Sequence, residues 1–375
     1  MTSITDASVA VVHGTALERG GGVQVAEELA RVFDAPLFFG LCTKAVEDRI
    51  SADIEHHRLF QGMVSRFVRE KPFLRNLYQM GKFQHVPQLH DFDVIIQSDN
   101  GTSWYVPPEE QVLIRYVHSP PGPLYHRFPE VGYSKVTQLS AFISRILRQP
   151  YTQFPDVQVA NSETTKRRME KYFNISTEVV YPPVNTGNYT PNEREDFYFT
   201  LSRLTEAKSV DDIVKTFTNH HPEKQLIVGG SGPQEEYLRS ISGPNVEIRG
   251  WLSEEEKSGL MGSCAAMILN SGNESFGIVP IEAFASGAPV IALDQGHTRY
   301  QIRDGWNGIL YSKGRLSDAI DRFEEDGVAA TPSEIELFAE RFSVDKFHDD
   351  FREILRRVLE SNDSCSSWKE DGEPV

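Results

Sequence analysis

The chain has 375 residues, 39% hydrophobic and 25% charged, which suits two domains with packed cores and excludes an intrinsically disordered protein. Its formal net charge of -16 argues against general nucleic-acid binding, which needs a basic excess, and three scattered cysteines, Cys42, Cys264 and Cys365, are expected as free thiols. The longest apolar run, "GLMGSCAAMIL", is too short to span a membrane and the start "MTSITDASVAVVHG" lacks a basic leader, so a cytoplasmic protein is expected.

Short β-branched runs alternate with amphipathic stretches along the chain, the pattern of parallel sheets with helical crossovers. "SVAVVHG" is a first strand, followed by Gly20, Gly21 and Gly22 and then by the helix "VQVAEELARVF". "APLFFGL" is a second strand. In "HRLFQGMVSRFVREKPFLRNLYQMGKF", Arg58, Arg66, Arg69, Lys71, Arg75 and Lys82 stand against one acid, Glu70, among Phe and Leu. This stretch reads either as a helix pair with a solvated basic face or as a surface for an anionic membrane through residues 58–83, each cation contributing about 1 kcal/mol. "HDFDVIIQSD" carries Asp91 and Asp93 at the spacing of a metal-binding pair, but ahead of their strand and opposite the edge where ligands bind. "VLIRYVHS" ends in His118, before two prolines; a lone histidine is most often structural, yet strand ends are where sites lie. "VQVANS", the helix "ETTKRRMEKYF" and "TEVVYPP" complete the first half.

Proline, asparagine and glycine then cluster in "PPVNTGNYTPNEREDF", residues 182–197, the expected domain break. "DFYFTLSRL" is the first strand of the second half, and it delivers Arg203 and Lys208 just ahead of the helix "SVDDIVKTFTNHH". Two cations beside a helix start make a diphosphate clamp, against the plainer reading of two solvated side chains. "QLIVGGSG" follows, with Gly229, Gly230 and Gly232 in a turn that lets backbone approach a ligand. It is not a dinucleotide fingerprint, since Glu235 occupies the third glycine position. After "VEIRGW" and "AAMILNS" comes "NESFGIVPIEAFASG". Pro280 fits only a first helical turn, so a helix is expected from about Gly277 or Ile278 to Gly287. Glu274 then precedes the helix, Glu282 sits one turn inside, and each carboxylate is able to grip a vicinal diol, one of a ribose and one of a hexose. The alternative makes Glu274 a cap and Glu282 a solvated residue. "APVIALD", a candidate edge strand "GILY" and the long helix "SVDKFHDDFREILRRVLE" end the fold, and no cluster has metal-ligand spacing.

Together these motifs resemble the GT-B retaining glycosyltransferases of family 4, the nucleotide-sugar-dependent glycosyl transferases group 1, most strongly over residues 202–208, 229–233 and 273–293. The resemblance implies an α/β protein of two Rossmann-like, doubly wound parallel-sheet domains facing each other across a cleft. The acceptor domain is expected at 1–186 and the nucleotide-sugar domain at 187–344, with a helix at 345–360 packing back toward the first domain and a disordered tail at 361–375. It implies that Arg203 and Lys208 hold the diphosphate, Glu282 the ribose, and Glu274 a hydroxyl of the donor sugar, joined by the amides of Phe276, Gly277 and Ile278. Gly21, Gly22 and Gly230 are expected to approach the donor, and His118 to lie near the reacting sugar carbon. His118, Glu274, Arg203 and Lys208 are the expected catalytic set. Ser209 stands where the family often has glycine, and "LDQGHTRYQI" replaces a common double glycine and acidic residue.

The expected activity is retaining transfer of a hexose from a UDP- or GDP-sugar to a glycan or lipid-linked acceptor, without a metal or other cofactor, in the cytoplasm or peripherally on the inner face of the cell membrane. An epimerase or phosphorylase of the same fold and a non-catalytic nucleotide-sugar-binding subunit remain as rivals.

Overall fold

The computed structural model of the protein describes residues 7–128 and 134–370; residues 1–6, 129–133 and 371–375 lie outside the described residues, as does the side chain of Cys365. Two compact units divide the chain: Pro182–Lys346, and Met1–Tyr181 together with Phe347–Val375. The break precedes the boundary expected after residue 186, because Val184 already bridges Ser343 and donates its amide to Phe342 O at 2.9 Å within the second unit.

The first unit is built on β1 (Val9–Ala16), β2 (Leu37–Cys42), β3 (His56–Arg58), β4 (Val94–Gln97), β5 (Val112–Val117), β6 (Val157–Ala160) and β7 (Glu178–Val179). They form one parallel sheet in the order β3-β2-β1-β4-β5-β6-β7. The edge strand β3, "HHR", has no apolar run to announce it and owes its conformation to pairing with Leu37, Phe38 and Phe39. Successive residues alternate between two cores: Val11, Ile96, Ile114 and Tyr116 lie on one face, and Val12, Ile95 and Leu113 on the other. Onto the first of these faces the C-terminal helix, Val344–Glu370, lays Phe347, Phe351, Ile354, Leu355 and Val358, a stripe at helical spacing. That helix runs to Glu370, past the end expected at residue 360.

The second unit holds β8 (Phe197–Leu201), β9 (Gln225–Gly229), β10 (Val246–Gly250), β11 (Ala266–Leu269), β12 (Val290–Leu293) and β13 (Gly308–Tyr311). Its parallel order is β10-β9-β8-β11-β12-β13, with "GILY" at the edge. In each sheet the strand order reverses once, between β1 and β4 and between β8 and β11, and the loops leaving those carboxyl ends diverge to open a crevice. At the opposite end of the first sheet, Asp93 Oδ2 accepts hydrogen bonds from Ser8 N at 2.8 Å and Ser8 Oγ at 2.7 Å. It fastens the foot of β4 to that of β1, a structural task that accounts for a carboxylate there. Cys42 and Cys264 are free and buried, and burial pushes their thiols up to about 11 and about 12.

Candidate active site

A pocket of about 210 Å³ occupies the crevice between β8 and β11, lined by Arg203, Lys208, Asn270, Glu274, Gly277 and Ile278 among others. The loop after β8 supplies the two cations. Arg203 is exposed and unpaired among the described residues, whereas Lys208, at the end of a short 3-10 turn, pairs through Nζ with Glu274 Oε1. The turn ends on Ser209, whose φ of 48° lies in the left-handed region, a conformation glycine adopts without strain. Asn270 Nδ2 donates to Ser209 O at 3.0 Å, so the loop after β11 braces the loop after β8 despite that residue.

Glu274 is held from behind. Gly296, with φ of 63°, lets the 294–298 segment approach so closely that a Cβ there would lie 2.8 Å from Glu274 O, and His297 N donates to the same carbonyl at 3.0 Å. The His297 ring stacks on Phe276 at 5.4 Å between centroids, which keeps the Phe276 side chain buried instead of in the pocket. One glycine of "LDQGHTRYQI" therefore supports the Glu274 loop, while Arg299 pairs with Asp294 and Thr298 reaches the pocket lining.

Two further expected residues are not brought to this pocket. Glu282 lies inside the helix Val279–Ala285, where its Oε1 accepts from Tyr189 OH at 2.7 Å and Lys257 Nζ at 3.1 Å. It is neither a solvated residue nor, in this arrangement, a pocket residue. Burial pulls Lys257 down, but Glu282 and Glu254 outweigh it and hold the ammonium above its ordinary range. Gly230, with φ of 112°, serves a backbone crossing: a Cβ there would fall 1.8 Å from Ser202 O, so the glycine turn lies directly on the loop that carries Arg203.

In the first unit, His118 stands just beyond β5 with its Nε2 buried and unpartnered among the described residues. Burial, reinforced by neighbouring His13, lowers it to about 4, so the imidazole is neutral at pH 7. His13 is itself fixed between Ser98 Oγ at 3.0 Å and Thr15 O at 3.1 Å. Asp99 ties the end of β1 to the loop after β4: Oδ1 accepts from the amides of Gly14, Gly101 and Thr102 at 2.9, 3.0 and 3.1 Å, and Oδ2 from Thr15 at 3.0 Å. Gly22, in the first turn of the helix Gly21–Phe33, leaves open the space above both rings; a Cβ there would meet His13 Cε1 at 3.5 Å and His118 Nε2 at 3.9 Å. Sequence reasoning named His118 and the glycines but not His13 or Asp99; the turn-forming "SDNGTS" was the available signal for the latter.

A pH dependence follows. An unfolded histidine titrates near 6.5 and folded His118 at about 4, so the unfolded chain takes up its proton first as the pH falls. The contribution of His118 is complete above about pH 6.5 and is lost down to about pH 4, by up to about 3 kcal/mol. His297, lowered by burial to about 3, adds a loss of the same sign in the second unit. His118→Asn is expected to flatten part of the slope of urea-unfolding free energy against pH across this window; an unchanged slope would remove His118 as its source.

Comparison with known proteins bears on the whole arrangement. Residues 185–337 match the family model described as glycosyl transferases group 1. The human alpha-1,3/1,6-mannosyltransferase ALG2 is 22% identical over 283 residues, 63% of this chain and 67% of ALG2. Phosphatidyl-myo-inositol mannosyltransferase of Mycobacterium leprae is 39% identical over 103 residues, 26% of this chain and 27% of that enzyme. Among solved structures, Anabaena HepE in complex with UDP aligns with a TM-score of 0.73 at 16% identity, covering 93% of this chain and 100% of that one, a likeness of fold. The two parallel-sheet units are those of the GT-B fold, and residues 185–337 form a glycosyl transferases group 1 domain.

Proposed function

We propose that the chain is a retaining glycosyltransferase that moves a hexose from a UDP- or GDP-sugar to a glycan or lipid-linked acceptor, the latter presented by an anionic membrane that residues 58–83 meet. The observation that carries the reading is the convergence of Arg203, Lys208 and Glu274 on one pocket at the strand-order reversal of the second sheet. Lys208 and Glu274 neutralise each other there. A diphosphate would give Lys208 a stronger anionic partner and free the Glu274 carboxylate to accept hydrogen bonds from sugar hydroxyls. As the bond between the anomeric carbon and the diphosphate oxygen breaks, negative charge grows on the leaving group, and Arg203 with Lys208 would meet it. The reading invokes no divalent ion because these two cations supply the needed charge. The acceptor oxygen would bond to the same face of the anomeric carbon, its proton passing to the departing phosphate. Glu282 would reach a ribose only by giving up Tyr189 or Lys257, so its role is proposed as conditional on that exchange.

Thermal denaturation with UDP, GDP and their sugars tests this reading. A ligand bound only by the folded chain raises its melting temperature, and at about a hundred times its dissociation constant contributes about 2.7 kcal/mol. Stabilisation by one nucleotide series, abolished in Lys208→Ala, is expected. No shift with any of these at millimolar concentration would overturn it.

A further inference from the structure

We propose that the helix Lys135–Arg148, together with the helices Met63–Arg69 and Pro72–Phe83, forms an apolar platform that seats the first unit on an anionic lipid surface. The inference rests on the membrane-presented acceptor proposed above and adds a third helix to its surface.

Large apolar side chains that face solvent are concentrated on these three helices. Of the fifteen found among the described residues, five stand on the helix pair, Met63, Val64, Phe67, Phe73 and Leu77, and five on Lys135–Arg148. Met63 is 86% and Phe73 73% exposed. On the longer helix, Leu139, Phe142, Ile143, Ile146 and Leu147 recur at the three- and four-residue spacing of a single stripe, which a helix in water ordinarily turns inward. Here Ala141 and Arg148 face the protein, while Leu139 and Phe142 stay 59% and 58% exposed. An exposed apolar stripe of this kind marks an interaction surface.

Both groups of helices flank one loop. Gln79, on Pro72–Phe83, donates to Gly14 O at 2.8 Å and would be 2.9 Å from a Cβ on Gly101. Arg148 donates to Asn100 O at 3.3 Å and stacks on Trp104 at 4.7 Å. Asn100 in turn donates to Ser119 O at 2.9 Å, beside His118. An acceptor carried in a lipid layer would thus arrive next to the loop that shapes the His118 site.

Charge selects the occupant. Besides the inward-facing Arg148, Lys135–Arg148 contains Lys135 and Arg145 and no acid, and residues 63–83 contain Arg66, Arg69, Lys71, Arg75 and Lys82 against Glu70 alone, in a chain of net charge -16. Arg58, expected in the same basic surface, is already neutralised by Glu47 and is not part of it. A second copy docking through the same face would set these cations against each other. A lipid surface with anionic headgroups takes the apolar stripe and the surrounding cations together, with long basic side chains lying along the apolar surface, as Lys71 does over Phe67 at 3.8 Å.

Flotation of the full chain with vesicles tests the platform. Wild type is expected to float with phosphatidylcholine vesicles doped with phosphatidylglycerol at low salt, and weakly with phosphatidylcholine alone. The double variant Phe142→Glu/Ile146→Glu is expected to lose at least about tenfold in partitioning, with an unchanged melting temperature because both side chains are exposed. Leu337→Glu, an exposed apolar position of the second unit, is the control and should float as wild type does. Binding lost in Arg66→Glu/Arg75→Glu but kept in Phe142→Glu/Ile146→Glu would overturn the role of Lys135–Arg148 and leave the membrane reading of residues 58–83 standing. No binding to either vesicle, or a dimer in sedimentation that the double variant dissolves, would overturn the platform altogether. None of these outcomes touches the nucleotide-induced thermal shift, which decides the donor reading separately.

Discussion

Arg203→Ala is expected to lower turnover by a factor of about 10² to 10³, with the melting temperature within about 2 °C of wild type. The asymmetry comes from its setting. Arg203 lines the pocket, is exposed and has no ion-pair partner among the described residues, so removing it takes away a cation without opening a core or orphaning a carboxylate. If the guanidinium answers charge that develops on a departing diphosphate, its loss falls on kcat more than on the donor KM. Lys208→Ala should show a comparable loss of rate with one difference. It strips Glu274 of its partner, so the carboxylate remains as uncompensated negative charge beside an anionic donor and KM is expected to rise too. Steady-state rates with donor varied at saturating acceptor separate the two patterns. Near-normal rates in both variants would detach the cations from the chemistry, and a rise in KM alone would make them binding groups only.

What could be read from the chain was whatever local patterning determines. Parallel strands announce themselves as short β-branched runs, and Arg203, Lys208 and Glu274 were legible because each sits on a loop directly following such a run, at the edge where ligands bind. The edge strand β3 escaped notice because "HHR" carries no such pattern and forms through its neighbour. Glu282 shows a different limit: its spacing from Glu274 is a local feature, but Tyr189 and Lys257, which hold it, lie far away in sequence and meet it only through tertiary folding. The same holds for Asp99, two of whose four amide partners, Gly14 and Thr15, come from the end of β1, far away in sequence. Amphipathicity in residues 135–148 is visible in the sequence, yet periodicity tells only that one face is apolar and not what covers it.

Gly230→Ala is expected to destabilise the chain by at least about 3 kcal/mol, or to prevent soluble accumulation. Two costs coincide at this position. Its φ of 112° is a conformation that an L side chain resists, and the added methyl carbon would stand 1.8 Å from Ser202 O, a backbone atom that cannot rotate away as a side chain would. The turn is also anchored from the other side, since Gly230 N donates to Gly250 O at 2.7 Å, so relief requires moving β9 or the loop after β8. Moving that loop displaces Arg203, the next residue after Ser202. Where the variant is recovered at low temperature, stabilisation by nucleotide should therefore be diminished even though Gly230 does not line the pocket. Gly20→Ala supplies the contrast, because Gly20 has ordinary φ of -119° and a methyl group added there would meet nothing within 4 Å, and its unfolding midpoint should match wild type. Urea unfolding of the three proteins decides the matter: a Gly230→Ala midpoint equal to that of wild type would mean that the glycine turn does not press on Ser202, and that the link from this turn to Arg203 does not exist.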